Sequence, residues 1–111
     1  MKLPNGEDAV VEISKLRDYV LSLIHPLGRH KARVFLSALD MSAADAEELR
    51  LALKVAAKSE NAIAGAFDVY GARYIIDFVM HRANGREALV RSSWIVRRNE
   101  AFPRFVTCYL L

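Results

Sequence analysis

Residues 73–97 read RYIIDFVMHRANGREALVRSSWIVR, which is two runs of β-type residues around one turn. Branched and aromatic side chains dominate both runs, and apolar residues alternate with polar ones as they do in a half-buried strand. The Asn84-Gly85 pair between them is the strongest hairpin signal in the chain. We therefore predict an antiparallel hairpin with strands at Arg73–His81 and Glu87–Arg97.

Two further strand-like runs lie on either side of this hairpin, at Ala62–Val69 and Phe102–Leu110. Turn residues separate each run from its neighbour, and short strands joined in this way pair with the next strand along the chain. The sequence therefore predicts a four-stranded antiparallel meander, with the apolar face that carries Trp94 turned towards the rest of the protein.

Before residue 61 the apolar residues recur every three or four positions, which is the spacing of helices. A first helix is predicted from an N-cap at Ser14, with an apolar stripe that reaches Leu23 and an end at His25-Pro26-Leu27-Gly28, and a second over about Arg29–Leu39. A third follows a capping-box pattern at Ser42–Asp45 and runs to about Lys58. The fold class that results is α+β, with three N-terminal helices packed on one face of a four-stranded antiparallel sheet.

The composition indicates a single domain, 1–111, with no linker or repeat inside it. Hydrophobic residues make up 53% of the chain and charged residues 26%, which excludes a disordered or low-complexity protein. No apolar run approaches the roughly 20 residues that a membrane-spanning helix needs. The first residues lack the apolar segment of a signal peptide, so we expect a cytoplasmic protein with no membrane partner.

The formal net charge is +3, and the whole excess lies in residues 62–111, which carry seven arginines against four acidic residues. Arginine binds phosphate and carboxylate groups bidentately, so a polyanion such as RNA is one partner that fits. An excess of this size is also common on ordinary surfaces. Charge alone therefore leaves RNA binding open.

Alternation along the strands places polar residues on the sheet face that points away from Trp94. These outward residues are Arg91, Ser93 and Arg97 on the third strand and Thr107 and Tyr109 on the fourth. Val106 is assigned to the apolar face, and Asp77 on the second strand can pair with Arg91 or with Arg73. Such a face suits RNA, but antiparallel sheets commonly turn a polar face to water, so both interpretations stay open.

A basic cluster marks the start of the second helix, at His25-Pro26-Leu27-Gly28-Arg29-His30-Lys31. Backbone N–H groups at a helix N-terminus favour anions, and Arg29, His30 and Lys31 add donors for a phosphate. His30 also has the chemistry of a general acid or base. The alternative is a solvated basic turn in which His25 caps the end of the first helix.

Other chemistries find no support in the residue spacing. The three histidines do not form HExxH, and no GxxxxGK[ST] or GxGxxG loop is present, so we expect neither a metal nor a nucleotide cofactor. The single cysteine, Cys108, cannot form an internal disulfide, and its apolar strand favours a buried structural thiol.

Several segments together resemble an uncharacterised bacterial domain family. They are Leu3-Pro4-Asn5, the run from His25 to Phe35, Ser93-Trp94-Ile95-Val96, and Phe102-Pro103-Arg104 with Thr107-Cys108-Tyr109. Members of that family occur as short stand-alone proteins, often encoded beside a small SH3-like protein. Related domains occur at the C-termini of polymorphic toxins and phage proteins. Helices followed by a four-stranded sheet are, more remotely, similar to the barnase/EndoU/colicin/RelE group of metal-independent ribonucleases.

The resemblance implies a small toxin-like ribonuclease that cleaves RNA by attack of a 2′-OH on the adjacent phosphate, with no cofactor. On this hypothesis His30 is the acid or base, Lys31 contacts the phosphate, Arg91 stabilises the transition state and Thr107 orients the phosphate. The RNA-binding residues are then Arg29, Ser93, Arg97, Arg104 and Tyr109.

A second hypothesis is a non-catalytic module that docks a neighbouring protein, and a toxin would likewise imply a small antitoxin- or immunity-type partner. The two hypotheses differ in geometry, because the enzyme needs Lys31, Arg91 and Thr107 to approach one another around a phosphate-sized pocket. An immunity protein that faces a basic toxin is more often acidic, which this chain is not. A homodimer through the apolar end of the last strand, at 109–111, also stays open.

Overall fold

The computed structural model describes residues 1–111. Its first helix, α1, is an α-helical turn at Ile13–Lys15 that continues as a π-helical turn at Leu16–Val20. The other two helices are α2 at Arg29–Leu39 and α3 at Ala46–Ser59. Short 3-10 turns at Gly6–Asp8 and Ala43–Asp45 precede α1 and α3. None of these helices combines the length and the apolar character needed to cross a membrane.

Four antiparallel strands form one sheet in the order β1-β2-β3-β4, which confirms the predicted meander. Their bounds are β1 Ile63–Asp68, β2 Gly71–His81, β3 Glu87–Arg97 and β4 Pro103–Leu110. The helices pack against the sheet face that carries Trp94, here called the inner face. The α+β class with a four-stranded antiparallel sheet and three helices is therefore confirmed.

The segment ahead of α1 joins the sheet, which corrects the prediction that only helices precede the strands. Val10 lies parallel to β4 as an isolated bridge with Arg104. The Val10 N–H donates to the Pro103 carbonyl, and the Phe105 N–H donates to the Val10 carbonyl. Lys15 Nζ donates to the Phe105 carbonyl at 2.8 Å. These contacts cover the middle of the β4 edge, so they do not favour a homodimer through that strand.

The first helix differs from its prediction at both ends. Its N-cap is Glu12 rather than Ser14, and it ends before Leu23. The Leu21 N–H donates to the Leu16 carbonyl, five residues back, which makes the last turn wider than an α-helical turn. This wider turn buries Leu16 and Leu21 together, and the chain beyond it leaves Leu23 exposed.

The core lies between the helices and the inner face of the sheet, and its largest fully buried side chains include Trp94, Phe35 and Phe105. The rings of Trp94 and Phe105 meet edge to face with centroids 5.6 Å apart. Buried Ser92 accepts the indole N–H of Trp94 at 2.9 Å and donates its own hydroxyl to the Ile76 carbonyl at 2.8 Å. The one polar atom of the indole is therefore satisfied inside the core.

A β-bulge in β4 changes which side chains face outwards. Ser93 lies opposite Thr107 whereas Trp94 lies opposite Phe105, so Val106 is an extra residue in β4. The prediction that Val106 faces the core was wrong, because the bulge turns it to the outer face, where it lines a cavity with outward residues of β2 and β3. Beyond the bulge, Thr107 stays on the outer face beside Ser93.

Gly71 begins β2 at a position that no other residue fits. Its φ is +143°, and a Cβ there would meet the Val96 carbonyl. Just before it, Asp68 Oδ1 accepts the N–H groups of Tyr70 and Gly71 at 2.9 and 3.3 Å. This acidic side chain and the glycine together close the β1–β2 turn.

Gly71→Ala is expected to lower the free energy of unfolding by about 3 kcal/mol or more, because both the backbone conformation and the Val96 carbonyl oppose a Cβ. Gly85→Ala is the matched control, since its φ is also positive but nothing lies within 4 Å of the added atom. There we expect a loss of about 1 kcal/mol. Urea unfolding measures both. Equal losses would show that the approach to Val96 contributes nothing.

Ser92→Ala is expected to destabilise the protein by about 2 kcal/mol, because it leaves the buried N–H of Trp94 without an acceptor. Phenylalanine at position 94 has no N–H that needs an acceptor. In a Trp94→Phe background, Ser92→Ala should therefore lower the free energy of unfolding by a clearly smaller amount. Urea unfolding of the two single variants and the double variant completes the cycle. Strictly additive losses would contradict the proposed coupling.

Candidate functional site

Lys31 lies at the start of α2 and reaches the edge of β4. Its Nζ donates to Thr107 Oγ1 at 3.0 Å and lies over the Tyr19 ring, 5.1 Å from the ring centroid. The side chain is half-buried, and no carboxylate lies within ion-pair distance of it. A hydroxyl and an aromatic ring do not neutralise a cation, so the charge of Lys31 remains available to an anionic ligand.

His25 fixes how α2 begins and where Tyr19 lies. Its Nδ1 accepts the N–H groups of Leu27 and Gly28, each at 3.0 Å. Its ring stands edge-on to the Tyr19 ring, with centroids 4.7 Å apart. His25 therefore organises the turn into α2 rather than capping the end of the first helix, and it supports the aromatic ring that lies beside Lys31.

A row of three polar side chains crosses the outer face of the sheet next to Thr107. Asp77 on β2, Arg91 on β3 and Tyr109 on β4 are neighbours in register. Asp77 accepts hydrogen bonds from Arg91 Nε at 2.9 Å and Nη2 at 2.8 Å, so it pairs with Arg91 and not with Arg73. Hydrogen bonds with Asp77 and then with Tyr109 raise the pKa of the Arg91 guanidinium. The bond from Arg91 lowers the pKa of Asp77.

A cavity of about 410 Å³ lies between α2 and the end of β4. Its lining residues are His30, Lys31, Val34, Tyr109 and Leu110. This volume falls within the range of small-molecule sites. The structure therefore brings together His30, Lys31 and Tyr109 around the cavity. Thr107 is in contact with Lys31, and Arg91 lies opposite Tyr109 in the pairing of β3 with β4.

Two predicted site residues lie away from this cavity and are bound to acidic side chains. Arg104 donates two hydrogen bonds to Glu100, each at 2.8 Å, and lies 3.7 Å from Glu12. Arg97, at the other end of β3, lies 4.0 Å from Glu100. Their charges are therefore already matched within the protein.

The two remaining predicted residues, Ser93 and Arg29, lie on either side of the cavity region. Ser93 is on the outer face beside Thr107, and its hydroxyl donates to the Thr107 carbonyl at 3.4 Å. Arg29 is exposed on the first turn of α2 and has no ion pair. Both residues are thus near the cavity in the fold, but neither lines it.

Unmatched positive charge is concentrated on α2, not on the C-terminal arginines to which the sequence pointed. Five of those seven arginines lie within 4.0 Å of a carboxylate, namely Arg73, Arg82, Arg91, Arg97 and Arg104. Residues 19–39 contain no Asp or Glu at all. The absence of acidic residues from this stretch could have indicated the site from the sequence. It is not visible when net charge is summed separately over the N-terminal and C-terminal halves of the chain. Tyr19 carries no such signal, because its spacing is that of a core residue.

Cys108 is fully buried on the inner face, and burial raises the pKa of its thiol to about 12. The prediction of a buried thiol is confirmed, and a thiol in this state is a poor nucleophile. No three His, Cys, Asp or Glu side chains lie together in a group that could hold a metal ion.

Comparison with known proteins relates the fold to a solved structure and the sequence to a protein family. No curated protein sequence gives a significant match. A chain in the structure of a contact-dependent growth inhibition toxin–immunity protein complex from Klebsiella pneumoniae 342 is 19% identical to this chain, with a TM-score of 0.62 over 95% of both chains. An identity of this size shows a shared fold alone. The family described as a domain of unknown function, DUF6883, matches residues 2–111, and this protein belongs to that family.

Proposed function

We propose that this protein is a small toxin-like ribonuclease that cleaves RNA, without a metal ion, at the cavity between α2 and β4. The observation that carries the proposal is the ammonium of Lys31, which is half-buried, has no carboxylate partner and is fixed against Thr107. Cations taken out of water are normally paired with an anion. A phosphodiester supplies that anion from outside the protein.

The residues at the cavity match the steps of attack by a 2′-OH on the adjacent phosphate. His30, which is exposed and lines the cavity, takes the proton from the 2′-OH. The 2′ oxygen forms a bond to phosphorus while the bond from phosphorus to the 5′ oxygen breaks. His30 returns the proton to the 5′ oxygen through water. The products are a 2′,3′-cyclic phosphate and a 5′-hydroxyl.

Two cations stabilise the charge that builds on the phosphate oxygens in this reaction. Lys31 contacts the phosphate from the α2 side. The Thr107 hydroxyl orients the Lys31 ammonium and the phosphate. Arg91 approaches from the sheet, and because Asp77 takes one N–H from Nε and one from Nη2, the two N–H groups of Nη1 and the second of Nη2 are left for the phosphate. Asp77 acts as a positioning residue for Arg91.

We assign the RNA contacts around the phosphate to Tyr109, Ser93 and Arg29. The exposed ring of Tyr109 offers a stacking surface for a base. In this proposal Arg97 and Arg104 are at most distant contacts to the RNA backbone, because both lie away from the cavity.

The structural neighbour is a chain of a toxin–immunity complex, which supports a role in a pair of that kind, and the toxin is the member of the pair that we propose. We extend this to a cognate antitoxin- or immunity-type partner protein and to action in the cytoplasm, where the RNA is. The likeness to the barnase/EndoU/colicin/RelE ribonucleases belongs to the same proposal, and the order of helices and strands supports it.

A second candidate function, docking of a partner protein without catalysis, is favoured by the open edge of β1. Nearly the whole strand is exposed, including the large apolar side chains of Ile63 and Phe67. Edge strands of this kind pair readily with a strand of another protein. Cleavage of RNA distinguishes the two candidate functions.

The purified protein is expected to cleave a total tRNA pool in EDTA and to leave 2′,3′-cyclic phosphate ends. Lys31→Ala should lower the cleavage rate about a hundredfold, because it removes one electrostatic stabiliser of the transition state. Lys58→Ala removes the same charge from an exposed position on α3 with no ion pair, so it should cleave like the wild type.

Two outcomes would contradict this prediction. Intact RNA with the wild-type protein would exclude the ribonuclease and leave partner docking at β1. Cleavage that Lys31→Ala does not change would place the activity outside this cavity. An RNA with a 2′-deoxynucleotide at the cleaved position should resist cleavage, since the attacking oxygen is missing.

Thr107→Val keeps the shape of the side chain but removes the hydroxyl that Lys31 contacts, and we expect kcat/KM for RNA to fall about tenfold. Thr107→Ser keeps a hydroxyl at the same place and should stay close to the wild type. Steady-state kinetics on one defined RNA measures both. An equal fall in the two variants would assign the effect to the lost methyl group and its packing.

A further inference from the structure

The turn before α2, residues 22–28, presents an apolar tip, and its first half also lines a cavity of about 630 Å³. Ile24 is 90% exposed and is the most exposed of the large hydrophobic residues, and Leu27 is 72% exposed. Neither residue lines the cavity beside Lys31. Exposed apolar side chains grouped in this way mark surfaces that contact something other than water.

This turn satisfies its own backbone N–H groups. Ser22 Oγ accepts those of Ile24 and His25, at 3.4 and 3.2 Å. His25 accepts three more, two at Nδ1 and one at its carbonyl, and Pro26 has no N–H. Every backbone N–H of residues 24–29 therefore has an acceptor within the turn. A protein partner can offer acceptors to a loop, whereas hydrocarbon offers none, so internal satisfaction of this kind favours contact with lipid.

Cations follow the tip directly on the first two turns of α2. Arg29 and Arg33 are both exposed, lie one helical turn apart on the same face and have no ion pair. Lys31 and Val34, which line the cavity, lie on a different face of the helix. Residues 19–39 hold no acidic residue. A carboxylate that does lie near the tip, that of Asp18, lines a cavity with Ile24 and is paired with Arg17 at 3.1 Å, which offsets its repulsion of an anionic surface.

We propose that residues 22–28, together with Arg29 and Arg33, form a docking surface for an anionic lipid bilayer. Ile24 and Leu27 enter the boundary between headgroups and acyl chains, and the two arginines bind lipid phosphates. The sequence led us to expect no membrane partner because it has no spanning segment, but peripheral docking requires none.

Co-sedimentation with vesicles tests the proposal, using phosphatidylcholine alone or mixed with an equal share of phosphatidylglycerol. The wild-type protein should bind the anionic vesicles, more weakly as salt rises, and leave the neutral vesicles unbound. Ile24→Ser/Leu27→Ser should weaken binding about tenfold or more through lost apolar burial. Arg29→Gln/Arg33→Gln should weaken it about tenfold or more through lost charge.

Two control variants match these changes elsewhere on the surface. Ile63→Ser/Val69→Ser removes two apolar side chains that are 66% and 73% exposed, around β1. Arg86→Gln/Arg98→Gln removes two exposed arginines that have no carboxylate partner. Both controls should bind anionic vesicles like the wild type.

Absence of binding to the anionic vesicles would overturn the proposal and leave the tip to an acidic protein partner. Equal losses in the turn variants and their controls would overturn it as well. Failure of the lipid proposal can be distinguished from failure of the ribonuclease proposal. The Ile24→Ser/Leu27→Ser variant should cleave RNA at the wild-type rate, and the Lys31→Ala variant should still bind vesicles.

Discussion

The edge of β4 is the constraint on which the arrangement of the helices depends. This strand has β3 on one side only, so the backbone groups on its other side need partners. At Phe105 the partners are the Val10 carbonyl and the Lys15 ammonium, and at Thr107 the side chain of Lys31 lies alongside. Covering the edge therefore holds the N-terminal segment, α1 and α2 against one strand, and it places a lysine where the outer face begins.

The distribution of ion pairs then decides which cations an external anion meets. Along the outer face Asp77 binds Arg91 and Asp68 binds Arg73, so the face is close to neutral although it is rich in arginine. Pairs of this exposure contribute little to stability, and their main effect is on the electrostatic potential of the surface. The acid-free stretch 19–39 lacks such partners, and its charge remains available to ligands.

The sheet could be predicted from the sequence because its determinants are local. Alternation of apolar residues and the Asn84-Gly85 turn were enough to place β3 with the bounds that the structure shows. The bulge at Val106 could not be found in this way, since it follows from the pairing of Trp94 with Phe105 across two strands. The same holds for Val10, whose bridge to β4 joins distant parts of the chain.

The candidate site was predictable to a similar degree. Chemistry and the family resemblance were enough to select Lys31 and Thr107, which the structure shows in contact. The pairing of Arg104 with Glu100 could not be predicted from the sequence, because it depends on how the turn before β4 directs the Glu100 carboxylate. The type of a residue predicts the chemistry of its side chain. The neighbouring side chains in the fold determine whether its charge is already paired.

Lys31 and Thr107 are 76 positions apart in the chain, and this separation has a consequence for synthesis. Domains form from the N-terminus as the ribosome releases them, so α2 exists while β4 is still unmade. That strand brings Tyr109 to the cavity and Thr107 to Lys31, and it also supplies Phe105 and Cys108 to the core. The cavity is thus completed by the same event that completes the fold. A nascent chain that already displays its lysine therefore has no assembled cavity until the last strand docks.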